Sequence, residues 1–503
     1  MQKVRSEGVF GMDLQQEPDP KGGKAYASYK GIGDEQAVKA IDFGKGSILK
    51  NILLAAGPMV AAQILSLLYN IVDRMYIGRI ADHGLQALGA VGLCFPLIAI
   101  INAFANWFGS GGAPLCAIES GKGNHEKAQA YLNTSLILTL LGGIVLTLLG
   151  LLFCQPVLKL FGTSPANMVY ALPYMQIYLC GTIFSMIALA MNPFINAQGF
   201  PGVGMLTITV GAVSNIVLDP LFIFAMGMGV RGAALATVIS QVLSALFVFW
   251  FLRSPKARYQ ICIPLRLWKS LLQPQRVWNI LSLGLAGFVM QCTNSLVQIV
   301  SNNCLSIYGG DLYISVMTVI SSIRQILDTP IFGLTDGTGP ILSFNYGARQ
   351  YERVRSGIRI MTILALAYTA LVWGLILLVP GFFIALFTPD PTLQEAAVPA
   401  LNTYFFAFVF QGLQYSGQTV FKSLNKKKQA IFFSLFRKVI IVVPLTLALP
   451  SLFHMGVYGV FLAEPISNVV GGSACFLCML LSVYRRLKTV LPALPVRKPA
   501  GSG

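Results

Sequence analysis

The feature that most constrains the fold of this chain is a series of apolar segments that recurs from end to end. Each has about 20 residues or more, which as a helix is enough to cross about 30 Å of bilayer hydrocarbon. Hydrophobic residues make up 55% of the 503 residues and charged residues only 11%, which excludes a soluble domain. Twelve spans are predicted, at 52–77, 88–116, 131–154, 172–197, 204–226, 231–252, 278–307, 312–343, 358–387, 396–420, 429–452 and 456–483.

An internal repeat divides these spans into two lobes of six helices. Residues 228–240 match residues 455–467 without a gap at an offset of 227, and Gly111 matches Gly337 at an offset of 226. Because each lobe has an even number of helices, both enter the membrane from the same side, which predicts a pseudo-two-fold axis along the membrane normal. The predicted fold is therefore an all-α polytopic membrane protein with a substrate site between its lobes.

The same reading predicts the organisation of the whole chain. The N-terminal segment is charged and Gly-rich, which is typical of a disordered tail and not of a cleaved signal. The predicted parts are a cytoplasmic tail at 1–49, an N-lobe at 50–252, a cytoplasmic connector at 253–277, a C-lobe at 278–484 and a second cytoplasmic tail at 485–503.

Positive charge is distributed unevenly among the loops. If the N-terminus is cytoplasmic, the opposite side of the membrane carries only Arg79, Lys159 and Arg231, and the tails and even-numbered turns carry the other loop bases. This asymmetry follows the positive-inside rule and predicts that both termini are cytoplasmic. The net charge of +17 is thus read as an orientation signal. Membrane lipids are expected partners, with head-group binding at 426–428 as an alternative reading of that basic run, and nucleic acid is not expected.

Asp219 places an ionisable carboxyl inside an otherwise apolar span, directly before Pro220. A charged Asp at the centre of a spanning helix costs roughly 2.5–3.5 kcal/mol on insertion scales, so such a residue is a functional-site hypothesis. The repeat places Thr446 at the corresponding position of the second lobe. An acid needed only for helix packing would be expected in both lobes, so the two lobes are predicted to have different roles.

Asp73 is the second such acid, and the repeat pairs it with Ile299. By helical rise, Asp73 lies about 9 Å and Asp219 about 12 Å from the outer ends of their helices, so both occupy one leaflet of one lobe. Two carboxyl groups in a poorly hydrated cavity repel each other when charged, which favours uptake of a proton or a small cation. The alternatives are that Asp73 pairs with Arg74 or caps a helix end, and that Asp219 is structural.

The second lobe has its own polar residues within the predicted spans. Arg324 and Asp328 are four residues apart on one helix face, where they can form an ion pair or contact substrate. Asp336 lies towards the cytoplasmic end of the same helix.

Glu464 takes the place of Thr237 in the repeat and lies about 12 Å inside the last span by helical rise. Two readings are open for it. It either contacts a cation or is the partner of Arg437 or Lys438 on the preceding span.

Enzymatic function finds little support. The three histidines, His83, His125 and His454, fall in turns, and no Gly-rich phosphate loop with its Lys is present. Cys475 and Cys478 have the spacing of a redox or metal motif but lie within an apolar span. The sequence therefore predicts no catalytic residue, no metal ligand set and no cofactor.

Several motifs, in this order and spacing, resemble the multidrug and toxic compound extrusion (MATE) family of secondary transporters. The resemblance covers roughly residues 50–484. The residues that carry it are Tyr69 to Asp73 with Ile77 and Gly78, Asn192 to Gly199, Asn215 to Pro220, and Gly333 to Pro340 followed by Phe344 to Ala348.

The resemblance implies efflux of organic, often cationic, compounds in exchange for H⁺ or Na⁺. Asp73 and Asp219 match the acids that form the coupling site of that family, including a possible Na⁺ site, and Asn215 and Asn192 match its polar neighbours. An interhelical hydrogen bond without a ligand role is the alternative for either Asn. The chain departs from the family at 336–340, where Asp-Gly-Thr-Gly-Pro replaces the frequent Gln-Gly-x-Gln-Pro.

The sequence as a whole predicts a monomeric, cation-coupled efflux transporter of a bacterial inner membrane that works by alternating access. The alternative is a flippase for a lipid-linked saccharide, which would be expected to line its cavity with several bases for a pyrophosphate. The bases that fall within spans are Arg74, Arg324, Arg437 and Lys438. An integral-membrane enzyme is a weaker alternative because no catalytic constellation is present.

Overall fold

The computed structural model describes residues 40–80, 84–161, 163–262, 272–452 and 454–489. We number the membrane-spanning helices α1 to α12. Their bounds are Ile48–Gly78 (α1), Gln86–Gly121 (α2), His125–Leu160 (α3), Pro165–Cys180 with Thr182–Ala197 (α4), Pro201–Ala225 (α5), Val230–Arg253 (α6), 274–309 (α7), 311–347 (α8), Tyr351–Leu378 (α9), Pro391–Phe405 with Val409–Ser423 (α10), Lys427–Leu452 (α11) and Val457–Lys488 (α12).

Helices α7 and α8 form one helical run, Pro274–Gly347, that is interrupted at Gly310, where φ is 65° and ψ is −163°. Contacts with α2 show that the chain turns back there. Gly284 meets Trp107, and Gly347 meets Ile118, which lies about 16 Å from Trp107 by helical rise. An uninterrupted helix would separate the two glycines by about 95 Å. The run therefore contains two spans, and the predicted twelve-helix fold is confirmed.

The ends of several spans differ from the prediction. Helix α9 ends at Leu378 and not at residue 387, because Pro380 starts a separate short helix, Pro380–Ala385. Helices α4 and α10 are each bent, by 57° and 48° respectively. Local breaks of this kind leave the apolar composition unchanged, so hydropathy does not locate them.

Each lobe has its own apolar core. Two buried clusters join the helices of the N-lobe, and two others join those of the C-lobe. Large apolar side chains such as Leu152, Trp250 and Trp278 remain exposed on the spans, as expected where lipid covers the protein.

Glycines of the repeat bring the two lobes into close contact. A Cβ at Gly111 of α2 would collide with the backbone of Gly284 on α7, and one at Gly337 of α8 would collide with the backbone of Ala56 on α1. The two contacts are related by the repeat, since α8 corresponds to α2 and α7 to α1. Small residues allow such approach between helices in membranes, where packing drives association.

A second symmetric pair of contacts lies nearer to the chain ends. Gly121 abuts the backbone of Phe344, and Gly347 abuts that of Ile118. We call the side of the membrane that carries the two ends of the described chain the inner side. All four glycine contacts lie in the inner halves of their helices, so the lobes are closed together on the inner side.

The connector after α6 packs against the inner surface of the N-lobe. The Tyr259 hydroxyl donates to Ser120 Oγ at 2.7 Å, the Tyr259 N–H donates to Gln198 Oε1 at 2.9 Å, and the Cys262 N–H donates to Asn133 Oδ1 at 3.1 Å. Burial raises the pKa of Tyr259 above its ordinary value of 10.0. Residues 263–271 of the predicted connector, and residues 1–39 and 490–503 of the tails predicted at 1–49 and 485–503, lie outside the described residues.

Candidate functional site

Asp219 lies at the point where α5 changes its geometry. The helix is α-helical through Pro220, and residues Leu221–Ala225 then form a π-helical turn. Proline supplies no N–H for the regular hydrogen bond, and π-turns within α-helices are frequent at functional sites. The Asp219 side chain is fully buried, with 0% of the residue exposed.

The structure brings Asp73 of α1 and Asp219 of α5 together, as the pair prediction requires. The two carboxyl groups are close enough to hydrogen-bond to each other once one of them carries a proton. Asp73 Oδ1 and Asp219 Oδ2 are buried and have no hydrogen-bond partner among the residues that the structure describes. Buried acceptors of this kind are costly unless a donor or a cation satisfies them.

Asn215 adjoins the pair one helical turn before Asp219. Its Nδ2 donates to Asp219 Oδ1 at 3.3 Å and reaches Thr237 Oγ1 of α6 at 3.4 Å. The amide nitrogen of Asn215 makes these contacts, and its amide oxygen makes none. Asn215 Oδ1 is also buried without a partner in the described part of the chain. Three buried oxygens from α1 and α5 therefore lack a donor.

Tyrosines around the two acids were missed from the sequence. Tyr174 and Tyr178 in the first half of α4 stack with ring centroids 6.5 Å apart, and Tyr174 lies near both acids. Gln241 of α6 donates to the Tyr178 hydroxyl at 3.3 Å. The spacing of one helical turn between the two tyrosines was visible, but an aromatic pair at that spacing is common on any helix.

Asn192 is not brought to the acid pair. Its Nδ2 donates to the Gly204 carbonyl oxygen at 2.8 Å and to Thr207 Oγ1, and its Oδ1 accepts from Asn196 Nδ2 at 3.0 Å. Thr207 is twelve residues, or about 18 Å along α5, from Asp219. The bonds of Asn192 to Gly204 and Thr207 are therefore interhelical hydrogen bonds between α4 and α5, the alternative raised from the sequence, and its bond with Asn196 lies within α4.

Arg74 does not form an ion pair with Asp73 in the described structure. Its guanidinium carbon lies 4.5 Å from the centroid of the Phe95 ring, in a cation–π contact with α2. Asp73 therefore faces Asp219 and not its neighbour in sequence.

The C-lobe contains a buried cluster of charged residues, which we call the C-lobe cluster: Arg324, Asp328, Arg437, Lys438 and Glu464. Arg324 Nε lies 3.3 Å from Asp328 Oδ2, so the predicted pair is formed. Glu464 Oε1 lies 2.7 Å from Arg324 Nη1, 2.6 Å from Arg437 Nη2 and 3.1 Å from Lys438 Nζ. Of the two sequence readings for Glu464, the structure shows the ion pair with both bases.

The remaining bonds of Asp328 are made by α10. Gln411 Nε2 donates to Asp328 Oδ1 at 2.7 Å, and the Tyr415 hydroxyl donates to Asp328 Oδ2 at 3.3 Å. Both carboxylates of the cluster are thus saturated with donors and bases. This differs from the N-lobe pair, whose oxygens lack donors.

Asp336 occupies a different environment from the C-lobe cluster. Its side chain is exposed between the lobes, where Gln63 Nε2 of α1 lies 3.5 Å from Asp336 Oδ2. Lys422 of α10 is close enough to interact electrostatically with Asp336. Asp336 is therefore the one predicted C-lobe acid outside the cluster, and it lies where the lobes meet.

The comparisons with known proteins agree with this architecture. The family model MatE matches residues 58–221 and 287–447, which correspond to the two lobes. The chain belongs to the MatE family. This confirms the family that the sequence motifs resemble, the multidrug and toxic compound extrusion (MATE) transporters.

Individual MATE relatives cover nearly the whole chain. The multidrug export protein MepA of Staphylococcus haemolyticus (strain JCSC1435) is 24% identical over 440 residues, which are 87% of this chain and 94% of that protein. A crystal structure of MATE in complex with MaD3S has a TM-score of 0.82 and 25% identity, covering 89% of this chain and 98% of that one. The structure of an outward-facing multidrug resistance MATE family transporter has a TM-score of 0.82 and 24% identity, and the match covers 91% of this chain and 100% of that one.

Proposed function

We propose that this MATE transporter is an antiporter of a bacterial cytoplasmic membrane that exports organic cations in exchange for H⁺ or Na⁺. The observation that carries the proposal is the group of three buried oxygens without a donor, Asp73 Oδ1, Asp219 Oδ2 and Asn215 Oδ1. Such oxygens favour the binding of a proton or of a small hard cation. The relatives named as multidrug export proteins support efflux as the direction of substrate transport.

Binding of the coupling ion changes the charge of the pair. Without it, two carboxylates repel each other in a buried site, which favours any arrangement that separates or hydrates them. With it, α1 and α5 can remain together. Since α1 also carries the Ala56 contact to Gly337 of the C-lobe, a shift of α1 would change the closure of the lobes.

Alternating access is the mechanism that we infer, and the contacts between the lobes support it. The lobes are in contact through glycines on the inner side, and these contacts have to separate before substrate can enter from the cytoplasm. Ion binding from outside at Asp73 and Asp219, in the outer halves of α1 and α5, would then be linked to the state of the inner contacts. Asp336, which is exposed between the lobes, supplies a carboxylate for a cationic substrate.

The basic residues within the spans do not favour a flippase for lipid-linked saccharides. Arg324, Arg437 and Lys438 are held by Glu464 and Asp328, and Arg74 is held by the Phe95 ring. A pyrophosphate would have to displace these partners.

The test is transport into vesicles that contain the purified protein, with a pH gradient or a Na⁺ gradient imposed separately. Asp219→Asn preserves shape and an acceptor for Asn215 but removes the charge, so we expect folded protein whose gradient-driven transport falls to the level of empty vesicles. Asp73→Asn is expected to behave alike. Asp311→Asn, at the exposed acid that begins α8, is the matched control and should transport normally. Normal gradient-driven transport by Asp219→Asn would refute the proposal.

A further inference from the structure

The chain directly before α1 lies across the inner surface of both lobes. Residues 40–47, which we call the inner strap, belong to the segment that the sequence predicts to be a disordered tail. In the structure they are packed, and Phe43 is only 2% exposed. A short segment without a core of its own is ordered only by its neighbours. The contacts of the inner strap therefore show what it holds together.

One set of contacts fixes the inner strap to the N-lobe. The Ile41 N–H donates to the carbonyl oxygen of Gly199, in the turn between α4 and α5, at 2.8 Å. Gly199 has a φ of 93°, and a Cβ there would lie 2.6 Å from the Ile41 oxygen, so this approach requires glycine. Asn51 Nδ2, in the first turn of α1, donates to the carbonyl oxygens of Asp42 and Lys45 at 3.0 Å each. The inner strap is therefore part of the N-lobe.

A second set of contacts joins the inner strap to the C-lobe. Arg353, in the first turn of α9, donates from Nη1 to the Gly46 oxygen at 2.8 Å. Its Nη2 donates to the oxygens of Phe43 and Lys45 at 3.0 Å and 3.1 Å. Its Nε donates to Asn345 Oδ1 of α8 at 3.0 Å, and Asn345 Nδ2 donates to the Phe43 oxygen at 2.9 Å. Hydrogen bonds from a charged donor are roughly twice as strong as neutral ones, so Arg353 is the main polar anchor of the inner strap on the C-lobe.

The Phe43 side chain adds an apolar contact between the lobes. Its ring centroid lies 6.0 Å from that of Phe344 of α8, in an edge-to-face arrangement. The same buried cluster contains Ile52 of α1 and Ile341 of α8. Phe344 is also the residue whose backbone Gly121 abuts. The inner strap therefore covers one of the glycine contacts that close the lobes.

The polar contacts of the inner strap can break and form again. Lys45 and Gly46 are exposed, so water can replace Arg353 as the donor to their carbonyl oxygens when the lobes separate. Exchange of a protein hydrogen bond for one with water changes the free energy only modestly. Bonds of this kind stabilise a closed state without making it permanent.

We propose that the inner strap stabilises the state in which the lobes are closed on the inner side, and that Arg353 is the C-lobe residue that binds it. Opening towards the cytoplasm then requires release of the strap carbonyl groups from Arg353 and Asn345. This inference deepens the proposed function, since it rests on alternating access for the existence of an inward-open state. It does not involve the acid pair, so its experiment uses no ion gradient and leaves the coupling test undecided.

The experiment measures how fast a buried cysteine at the lobe contact reacts with a soluble maleimide in the purified protein. The reporter is Ile280→Cys on α7, in a background without other cysteines. Ile280 is 0% exposed and packs in one cluster with Leu115 of α2, separate from the cluster of Phe43. If the lobes close faster than the thiol reacts, the rate is proportional to the fraction of molecules that are open. The reporter thus measures separation of the lobes and not local release of the inner strap.

We expect Arg353→Gln to raise the reaction rate of the reporter at least about tenfold, the effect of losing one hydrogen bond to a charged group. Arg353→Lys keeps the charge but not the planar set of donors, so its rate should be intermediate. The matched control is Arg359→Gln, at an exposed arginine about 9 Å further along α9, and it should leave the rate unchanged. In a second background that keeps only Cys475, buried in the core of the C-lobe, Arg353→Gln should not accelerate the reaction.

Equal rates of the Ile280→Cys reporter with and without Arg353→Gln would overturn the proposal. Equal acceleration of Cys475 would also overturn it, because the substitution would then unfold the protein and not separate its lobes. If Arg353→Gln does not fold, Phe43→Ala decides, since it removes the apolar contact of the inner strap from a position outside the membrane spans. An unchanged rate of the reporter in that variant refutes the role of the strap.

Discussion

Replacement of Glu464 by Gln is expected to destabilise the protein more than most single substitutions in its membrane-spanning part. The carboxylate lies 2.6–3.1 Å from a nitrogen of each of three bases. Glu464→Gln keeps the size of the side chain but leaves Arg324, Arg437 and Lys438 with Asp328 as the remaining acid of the C-lobe cluster. Breaking a buried ion pair by removing one partner costs about 3–5 kcal/mol, because the remaining charge stays buried without compensation.

A second substitution separates the charge effect from a packing effect. Lys438→Gln in the Glu464→Gln background removes one of the bases that lost its partner, so we expect it to recover at least half of the lost stability. The assay is thermal unfolding in detergent, followed by the amount of protein that remains monodisperse, for the wild type, both single variants and the double variant. A loss below about 1 kcal/mol in Glu464→Gln, or additive losses in the double variant, would refute the charge argument.

Two further predictions concern the lobe contacts and the topology. Gly337→Ala places a Cβ 2.6 Å from the Ala56 backbone nitrogen, so α1 and α8 must separate. We expect a lower melting temperature and faster labelling of cysteines on the inner side. The control Gly374→Ala, where an added Cβ meets no atom within 4 Å, should behave as wild type. Equal behaviour of both variants would contradict the tight contact. The topology is tested with variants that each keep a single cysteine, either His454→Cys or the exposed Cys262. An impermeant thiol reagent added outside intact cells should label the first and miss the second. External labelling of Cys262 would reverse the predicted orientation.

Much of the candidate site followed from the sequence because its signals are local or repeated. An acid inside an apolar span is conspicuous, and comparison of the repeats showed that Asp73 and Asp219 belong to one lobe alone. Their depths in the membrane could be calculated from helical rise. Depth does not specify how each helix is rotated about its axis, however. That rotation decides whether the two carboxyl groups face each other as a pair or lie apart as independent acids.

Asn192 illustrates the same limit. Its motif and its place in the N-lobe suggested the coupling site, yet its amide bonds to Gly204 and Thr207 on the inner half of α5. Tyr174 was missed for the converse reason, since nothing in its local sequence distinguishes a tyrosine beside two acids from one that packs against apolar neighbours.

The number of spans, the two lobes and the family were determined by the sequence itself, because the transfer of a segment into hydrocarbon depends on that segment's own composition and length. The packing of helices depends on side chains that are distant in sequence. Only the tertiary structure decided that Glu464 holds Arg324, Arg437 and Lys438 at once, and that Asp73 meets Asp219. Each of these contacts joins separate helices, and their relative rotation is set by close approaches such as that of Gly337 to Ala56, which no single segment encodes.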